Sequence, residues 1–272
     1  MQHRSPIINV MTSAARKASR RLLRDFGEVE NLQVSKKGPA DFVSNADIKA
    51  EETLRRELEK ARPDFGFLLE EGGIVEGKDK DNRWIIDPLD GTLNFLHGIP
   101  HFSISIAHEC RGRLLAGIIY DPVRDEMFMA ERGIGAFVND RRLRVSARNK
   151  LDEAVLATGI PFLGRKHHPA TLNMLESVMT NTAGIRRFGS AALDLAYVAA
   201  GRYEGFWESD LKPWDIAAGL VIVMEAGGLV TELTGGPDIL ATGNVLATND
   251  VLHEPITKLL RTAIKENKNS PS

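Results

Sequence analysis

A short apolar run followed by two aspartates constrains this chain more than any other feature of its sequence. The apolar residues 84–86 (Trp-Ile-Ile) predict a buried strand, which we expect to end at Asp87. Asp90 follows three residues later, and Pro88 stiffens the turn between the two acids. Hard divalent cations prefer carboxylate and carbonyl oxygens held in a fixed cluster. The string therefore predicts a cation site built from Asp87, Asp90 and the backbone carbonyl of Leu89.

The next residues predict an anion site beside those acids. Gly91 and Thr92 are expected to begin a helix, whose first amide groups have no partner within the helix and attract anions. An acid cluster beside an anion site is the arrangement that a metal-bound phosphate needs. A strand, an Asp-Pro turn and a helix cap would explain each dipeptide separately, but not the complete string.

Three further acidic positions are less specific when each is taken alone. Asp215 lies just inside a helix predicted to begin at Pro213. The helix dipole alone would stabilise an acid at this position, and so would a bound metal ion. Glu70 belongs to a glycine-rich segment, 70–83, that we expect to be an exposed loop. Asp47 completes a capping-box pattern that begins at Ser44 and opens a helix.

The length of 272 residues allows one large domain or two modest ones. Strand signals dominate residues 102–130, whereas strands and helices alternate after 152. A polar stretch between them predicts an N-terminal subdomain, 1–148, with the metal-binding motif, and a C-terminal subdomain, 149–272, that completes the site. Residues 36–39 (Lys-Lys-Gly-Pro) are predicted to form a loop.

Charge and cysteine content exclude several classes of protein. The 35 basic and 37 acidic residues give a net charge of -2, which argues against direct nucleic-acid binding or attachment to an acidic membrane. No run approaches the roughly 18 apolar residues of a membrane-spanning helix. Cys110 is the one cysteine, which excludes an internal disulfide and indicates a reducing, cytoplasmic setting.

Four segments resemble the inositol monophosphatase family of the lithium-sensitive, magnesium-dependent phosphatase superfamily. Residues 84–97 and 214–228 resemble its two signatures, and residues 37–47 and 189–192 resemble two shorter elements. The sequence around Lys212 is typical of the bacterial branch of the family, and the resemblance extends from about residue 5 to residue 262. It implies an α/β (α+β) fold, a layered α-β-α-β-α sandwich with two sheets, and a homodimer.

The resemblance also implies a role for individual residues. The catalytic group would be Thr92, Asp47 and Glu70, with Thr92 orienting the attacking water, and Lys36 would lie on a loop over the metals. Two or three Mg²⁺ ions, with Mn²⁺ as a substitute, would be held by Glu70, Asp87, the Leu89 carbonyl, Asp90 and Asp215. The substrate would contact Asp90, Gly91, Thr92, Ser190, Ala191, Glu208 and Asp215.

The implied reaction is hydrolysis of inositol monophosphate, a phosphorylated polyol, by in-line attack of a metal-activated water. Two metals about 4 Å apart can activate water on one side of phosphorus and stabilise the leaving oxygen on the other. Glu208 favours a polyol, because a carboxylate accepts hydrogen bonds from hydroxyl groups. Lithium inhibition is implied by the resemblance alone.

Two alternatives remain open. Lys212 stands where animal relatives often have a histidine, so the same chemistry could act on another ester: fructose 1,6-bisphosphate, NADP, histidinol phosphate or adenosine 3',5'-bisphosphate. A different class of function is a regulatory partner of the transcription machinery, a role that some bacterial relatives have.

Overall fold

The structure is a computed structural model that describes residues 5–28, 34–38, 41–161 and 168–269, with side chains for 5–28, 44–161 and 168–265. The helices are α1 (Pro6–Phe26), α2 (Asn45–Ala61), α3 (Thr92–Leu96), α4 (His168–Met179), α5 (Ala191–Ala199), α6 (Pro213–Glu225), α7 (Ile239–Thr242) and α8 (His253–Asn269). No helix in these ranges is long and apolar enough to cross a membrane.

The strands of the described ranges form two large sheets and a hairpin. The hairpin is β1 (Val34–Gly38) and β2 (Asp41–Ser44). The eight-stranded sheet has the order β10-β9-β8-β7-β6-β5-β3-β4 and contains β3 (Phe65–Leu69), β4 (Gly73–Val75), β5 (Asp79–Asp90), β6 (Ser103–Cys110), β7 (Arg113–Asp121), β8 (Glu126–Glu131), β9 (Gly135–Val138) and β10 (Arg141–Arg142). The five-stranded sheet has the order β12-β11-β13-β15-β14 and contains β11 (Val155–Thr158), β12 (Gly184–Arg186), β13 (Gly205–Glu208), β14 (Leu229–Thr231) and β15 (Val245–Thr248).

The helices and sheets form five layers, which pack against one another through three hydrophobic cores. Helices α1 and α2 cover one face of the large sheet, and α5 and α6 fill the space between its other face and the five-stranded sheet. Helices α4 and α8 cover the outer face of the five-stranded sheet. This order confirms the predicted α-β-α-β-α sandwich.

Strand β5 runs through the middle of the large sheet and is buried on both faces. Trp84 and Ile86 point into the core under α1 and α2, whereas Ile85 points into the core around α5 and α6. Both directions are apolar because helices cover both faces, which explains the uninterrupted apolar run. The strand therefore carries its C-terminal acids into the interior of the protein.

Two sequence predictions about local structure were wrong. Residues 36–38 belong to strand β1, where Lys36 pairs with Phe42, because the Gly-Pro signal marks the end of the strand and not a longer loop. Residues 39 and 40 lie outside the described residues. The segment 70–83 is largely exposed as expected, but it contains β4 and the first part of β5, which pair with β3. Strand β4 is a short edge strand, whose backbone pairs with β3 while its Ile74 side chain stays exposed.

Helix α6 approaches the large sheet at a position where no side chain fits. A Cβ atom built on Gly117 of β7 would lie 2.6 Å from the carbonyl oxygen of Ala218 and 2.8 Å from its Cα atom. Backbone atoms of a buried helix cannot move aside as a flexible side chain can. The close approach lets α6 pack on both sheets and fixes the position of its N-terminus.

Gly117→Ala is therefore expected to lower the free energy of unfolding by about 1–3 kcal/mol, the usual cost of overpacking a core. Urea unfolding followed by circular dichroism measures this change. Gly27→Ala is the matched control, because the nearest atom to its Cβ beyond the chain neighbours, within the described ranges, would be the Arg24 carbonyl oxygen at 3.4 Å. An equal effect of the two substitutions would contradict the packing argument.

Candidate active site

The parallel pairing of β3 with β5 brings Glu70 beside Asp87. Leu69 of β3 is in register with Ile86 of β5, and the Glu70 amide donates a hydrogen bond of 3.3 Å to the Ile86 carbonyl. Neighbouring parallel strands end at the same edge of a sheet, so the residues that follow them meet. Glu70 raises the pKa of Asp87, which a solvated acid far from the site would not do.

A β-bulge separates the two motif aspartates. Asp87 pairs with Ser105 and Asp90 with Ser103, so three steps along β5 correspond to two along β6. The sequence predicted that the strand ends at Asp87, but pairing continues through Asp90, which corrects that prediction. Residues three apart in a regular strand face opposite sides, whereas the extra residue allows both acids to face the same side. Within the bulge the Leu89 amide donates to Asp87 Oδ1 at 2.9 Å.

Asp90 connects the large sheet to helix α5. Its Oδ2 atom accepts hydrogen bonds from the Ser190 hydroxyl and, at 2.9 Å, from the Ala192 amide. Ser190 is the N-cap residue of α5, and Asp90 lies over the free amides of that helix end. The carboxylate is therefore held by the first turn of a helix from the other half of the chain.

Asp215 has a local role as well as a place near the acids. It is the third residue of α6, and its Oδ2 atom accepts a hydrogen bond of 2.7 Å from the Lys212 amide. It also raises the pKa of Asp87, which places its charge near the motif acids. Capping the helix and facing the acid cluster are thus compatible.

Burial and like charge together set the ionisation of this cluster. Burial raises the pKa of Asp87 well above its ordinary value, and Glu70, Asp90 and Asp215 raise it further. Burial also raises the pKa of Asp90 to about 6, although the Ser190 hydroxyl and the α5 amides favour its charged form. A cluster of this kind needs protons or a cation to offset its charge.

The donor chemistry of the site fits a hard divalent cation, although the side chains do not converge on one point. Within the described part of the chain, no group of three or more His, Cys, Asp and Glu side chains has the geometry of a closed metal site. The acids are held by other donors here, and Asp87 shares a hydrogen bond with Glu70. Carboxylate and carbonyl oxygens are nonetheless the donors that Mg²⁺ and Mn²⁺ prefer.

Thr92 and Asp47 form a hydrogen-bonded pair beside the bulge. Asp47 is buried at the start of α2, where its Oδ2 atom accepts from the Ser44 amide at 2.9 Å, as the capping box predicts. Its Oδ1 atom lies 3.0 Å from Thr92 Oγ1, which is also 3.0 Å from the Leu89 carbonyl oxygen. A hydroxyl has one proton, so Thr92 donates to one of these acceptors at a time.

The turn after Asp90 requires glycine. Gly91 has a φ of 93°, in the left-handed region, and a Cβ there would lie 3.1 Å from the His101 carbonyl oxygen. Thr92 begins α3 immediately afterwards, as predicted. The chain thus turns sharply enough to place Thr92 beside Asp47.

Glu208 reaches the region from the other sheet. It ends β13 and is half-buried, and it raises the pKa of Asp194, which lies in the first turn of α5. Asp90 raises the same pKa, so Asp90 and Glu208 both lie near the first turn of α5. Ser190 and Ala191, two further predicted substrate residues, are buried. The side chain of Lys36 lies outside the described residues.

Sequence reasoning missed two residues that belong to this region. Asn94 Nδ2 donates to the carbonyls of His101 at 2.8 Å and Phe188 at 2.7 Å, which ties α3 to the segment before α5. Asp194 is 1% exposed, and its Oδ1 atom is buried without a hydrogen-bond partner in the described part of the chain. Asn94 lies inside the segment 84–97 and Asp194 lies two residues after the segment 189–192, but neither residue type alone indicates such a role.

Comparisons with known proteins agree with this arrangement. Residues 3–265 match the inositol monophosphatase family. The chain is 58% identical to an inositol-1-monophosphatase of Mesorhizobium japonicum over 258 residues, 95% of this chain and 97% of the relative. It is 48% identical to the Nus factor SuhB of Pseudomonas aeruginosa over 248 residues, 90% of this chain and 92% of that protein.

A solved structure shows the same fold. The extragenic suppressor protein suhB of Bartonella henselae superposes with a TM-score of 0.93 at 57% identity, covering 94% of this chain and 99% of that one. The family match over residues 3–265 includes both sheets and all the elements that carry the acids. By sequence and by fold, this chain belongs to the inositol monophosphatase family.

Proposed function

We propose that this protein is a phosphatase that hydrolyses inositol monophosphate to inositol and inorganic phosphate. The observation that carries the proposal is that Glu70, Asp90 and Asp215 lie near enough to buried Asp87 to raise its pKa, with Glu70 brought there by the pairing of β3 with β5. Buried acids that repel one another cost stability, so their grouping calls for a cationic ligand. Membership of the family supplies the reaction that such a site performs.

The ligand that fits these acids is Mg²⁺, two or three ions per site, with Mn²⁺ as a substitute. We propose that Glu70, Asp87 and the Leu89 carbonyl hold one ion, and that Asp87, Asp90 and Asp215 hold a second. Bound cations offset the charge of the phosphate and make water more acidic. The backbone amides on Asp87, Asp90 and Asp215 fix the acids in advance, so that little rearrangement is needed.

Thr92 and Asp47 would orient the attacking water. When the Leu89 carbonyl is occupied by other contacts, the Thr92 proton points to Asp47, which lies 3.0 Å away. The lone pairs of the hydroxyl then accept a hydrogen bond from water. The water oxygen bonds to phosphorus as the ester P–O bond opposite to it breaks, and the proton that the water gives up ends on the departing ester oxygen, without a phospho-enzyme.

The remaining residues would recognise the ester. The amides of Gly91 and Thr92 are proposed to donate to phosphate oxygens. Glu208, which is half-buried at the end of β13, would accept hydrogen bonds from ring hydroxyls. The hydroxyl of Ser190 already donates to Asp90, so Ser190 would act mainly by fixing that acid.

A panel of phosphate esters tests the activity and the role of Thr92. With Mg²⁺, we expect inositol 1-phosphate to be hydrolysed faster than fructose 1,6-bisphosphate, NADP, histidinol phosphate or adenosine 3',5'-bisphosphate. EDTA should abolish phosphate release. Thr92→Val removes the hydroxyl at nearly constant volume and should lower kcat about 100-fold or more, because water orientation is lost. Thr92→Ser keeps the hydroxyl and should retain most of the activity.

Three outcomes are informative. Faster hydrolysis of another ester would keep the chemistry and overturn the substrate. Equal activity of the Val and Ser variants would remove Thr92 from the mechanism. No turnover with either Mg²⁺ or Mn²⁺ would contradict the phosphatase proposal.

We also propose the setting in which the enzyme works. A homodimer in the cytoplasm, inhibited by lithium, is what the family leads us to expect. The net charge of -2 and the lone Cys110 agree with a cytoplasmic protein that does not bind nucleic acid directly.

A regulatory role is the second candidate, because a relative 48% identical over 90% of this chain is named a Nus factor. Such a role needs a protein surface and not the buried acids. We expect that Asp90→Asn, which removes a candidate metal ligand, leaves capture of bacterial RNA polymerase or its elongation factors unchanged in a pull-down. If neither the wild-type protein nor the variant captures these proteins, the regulatory role fails.

A further inference from the structure

Gly159 and Glu208 end two neighbouring parallel strands. Thr158 of β11 is in register with Trp207 of β13, so Gly159 and Glu208 form the next pair beyond. The Thr158 hydroxyl donates a hydrogen bond of 2.7 Å to the Trp207 carbonyl, which fastens the two strand ends together. The backbone at this edge is therefore fixed, and the side chains must fit the space between the two strand ends.

The carboxyl group of Glu208 occupies the place that a side chain at position 159 would take. A Cβ atom built on Gly159 would overlap Cδ and both oxygens of Glu208. The φ angle of Gly159 lies outside the left-handed region, so the backbone itself would accept alanine. The requirement for glycine here comes from the neighbouring carboxyl group and not from a turn.

We propose that Gly159 is a positioning residue for polyol recognition. Because glycine has no side chain, the Glu208 carboxylate has room to lie where it can contact the ring hydroxyls. This inference rests on the proposed function and adds a determinant of substrate selectivity to it. Glu208 would make the contact with substrate, and Gly159 would act through Glu208 alone.

Alanine at this position should move Glu208 and not unfold the protein. The overlapping atoms are the far end of a flexible side chain, which can rotate away. Asp194 is 1% exposed, and the Glu208 charge raises its pKa after the larger effect of burial, so a carboxylate that turned towards Asp194 would be repelled. The displaced carboxylate therefore moves towards solvent and away from its place in the site.

The test compares Gly159→Ala with a matched glycine in the same sheet. Gly184 lies in β12, the other neighbour of β11, and among the described residues its Cβ would approach only Arg186 Nη1, at 3.3 Å. Each protein is assayed with inositol 1-phosphate and with 4-nitrophenyl phosphate, which has no ring hydroxyls. For Gly159→Ala we expect the ratio of the two kcat/KM values to fall about ten-fold or more, mainly through KM for the polyol ester. Gly184→Ala should leave the ratio and the melting temperature unchanged.

A double-mutant cycle separates positioning from general damage. If Gly159 acts through Glu208, adding Gly159→Ala to Glu208→Ala should change the ratio no further. An additional fall in the double variant would overturn the proposal, as would a wild-type ratio in Gly159→Ala. Loss of the folded state in Gly159→Ala, measured by thermal unfolding, would also contradict it. Wild-type protein that is inactive on inositol 1-phosphate would instead defeat the proposed function.

Discussion

Mutual repulsion of buried carboxylates is the constraint on which this site depends. The strand pairings within the large sheet are antiparallel except for β3 with β5, and that exception brings Glu70 to Asp87. The bulge after Asp87 then allows Asp90 to share a face with it. Asp87, Asp90 and Asp215 each accept a hydrogen bond from a backbone amide, so the protein bears the cost of grouping these acids before any ligand binds.

The two sheets meet at this cluster through α5 and α6. Both helices are buried among apolar residues from the two sheets, and both point their N-termini at the acids. Asn94 adds a second connection by bonding to the carbonyls before α5. The close approach of Gly117 to Ala218 holds α6 against the large sheet, and α6 carries Asp215 in its first turn.

Much of the catalytic region could be predicted because its acids follow strong local signals. The buried strand before Asp87 and the capping box that contains Asp47 are encoded by neighbouring residues, and both formed as predicted. The positions of residues that lie far apart in the sequence but close together in the fold could not be predicted in this way. Glu70 looked like part of an exposed loop until the parallel pairing of β3 was known, and nothing around Gly159 in the sequence refers to Glu208. The division of the chain after residue 148 stays a prediction.

The central claim is that the grouped acids hold divalent cations. Crystals grown with Mn²⁺ and measured near the manganese absorption edge test it directly, because only the metal then scatters with a strong anomalous signal. The account predicts anomalous peaks between Glu70, Asp87, Asp90 and Asp215, and loss of at least one peak in Asp87→Asn crystals. A well-ordered map with no peak among these residues, or with peaks only on the protein surface, would contradict it.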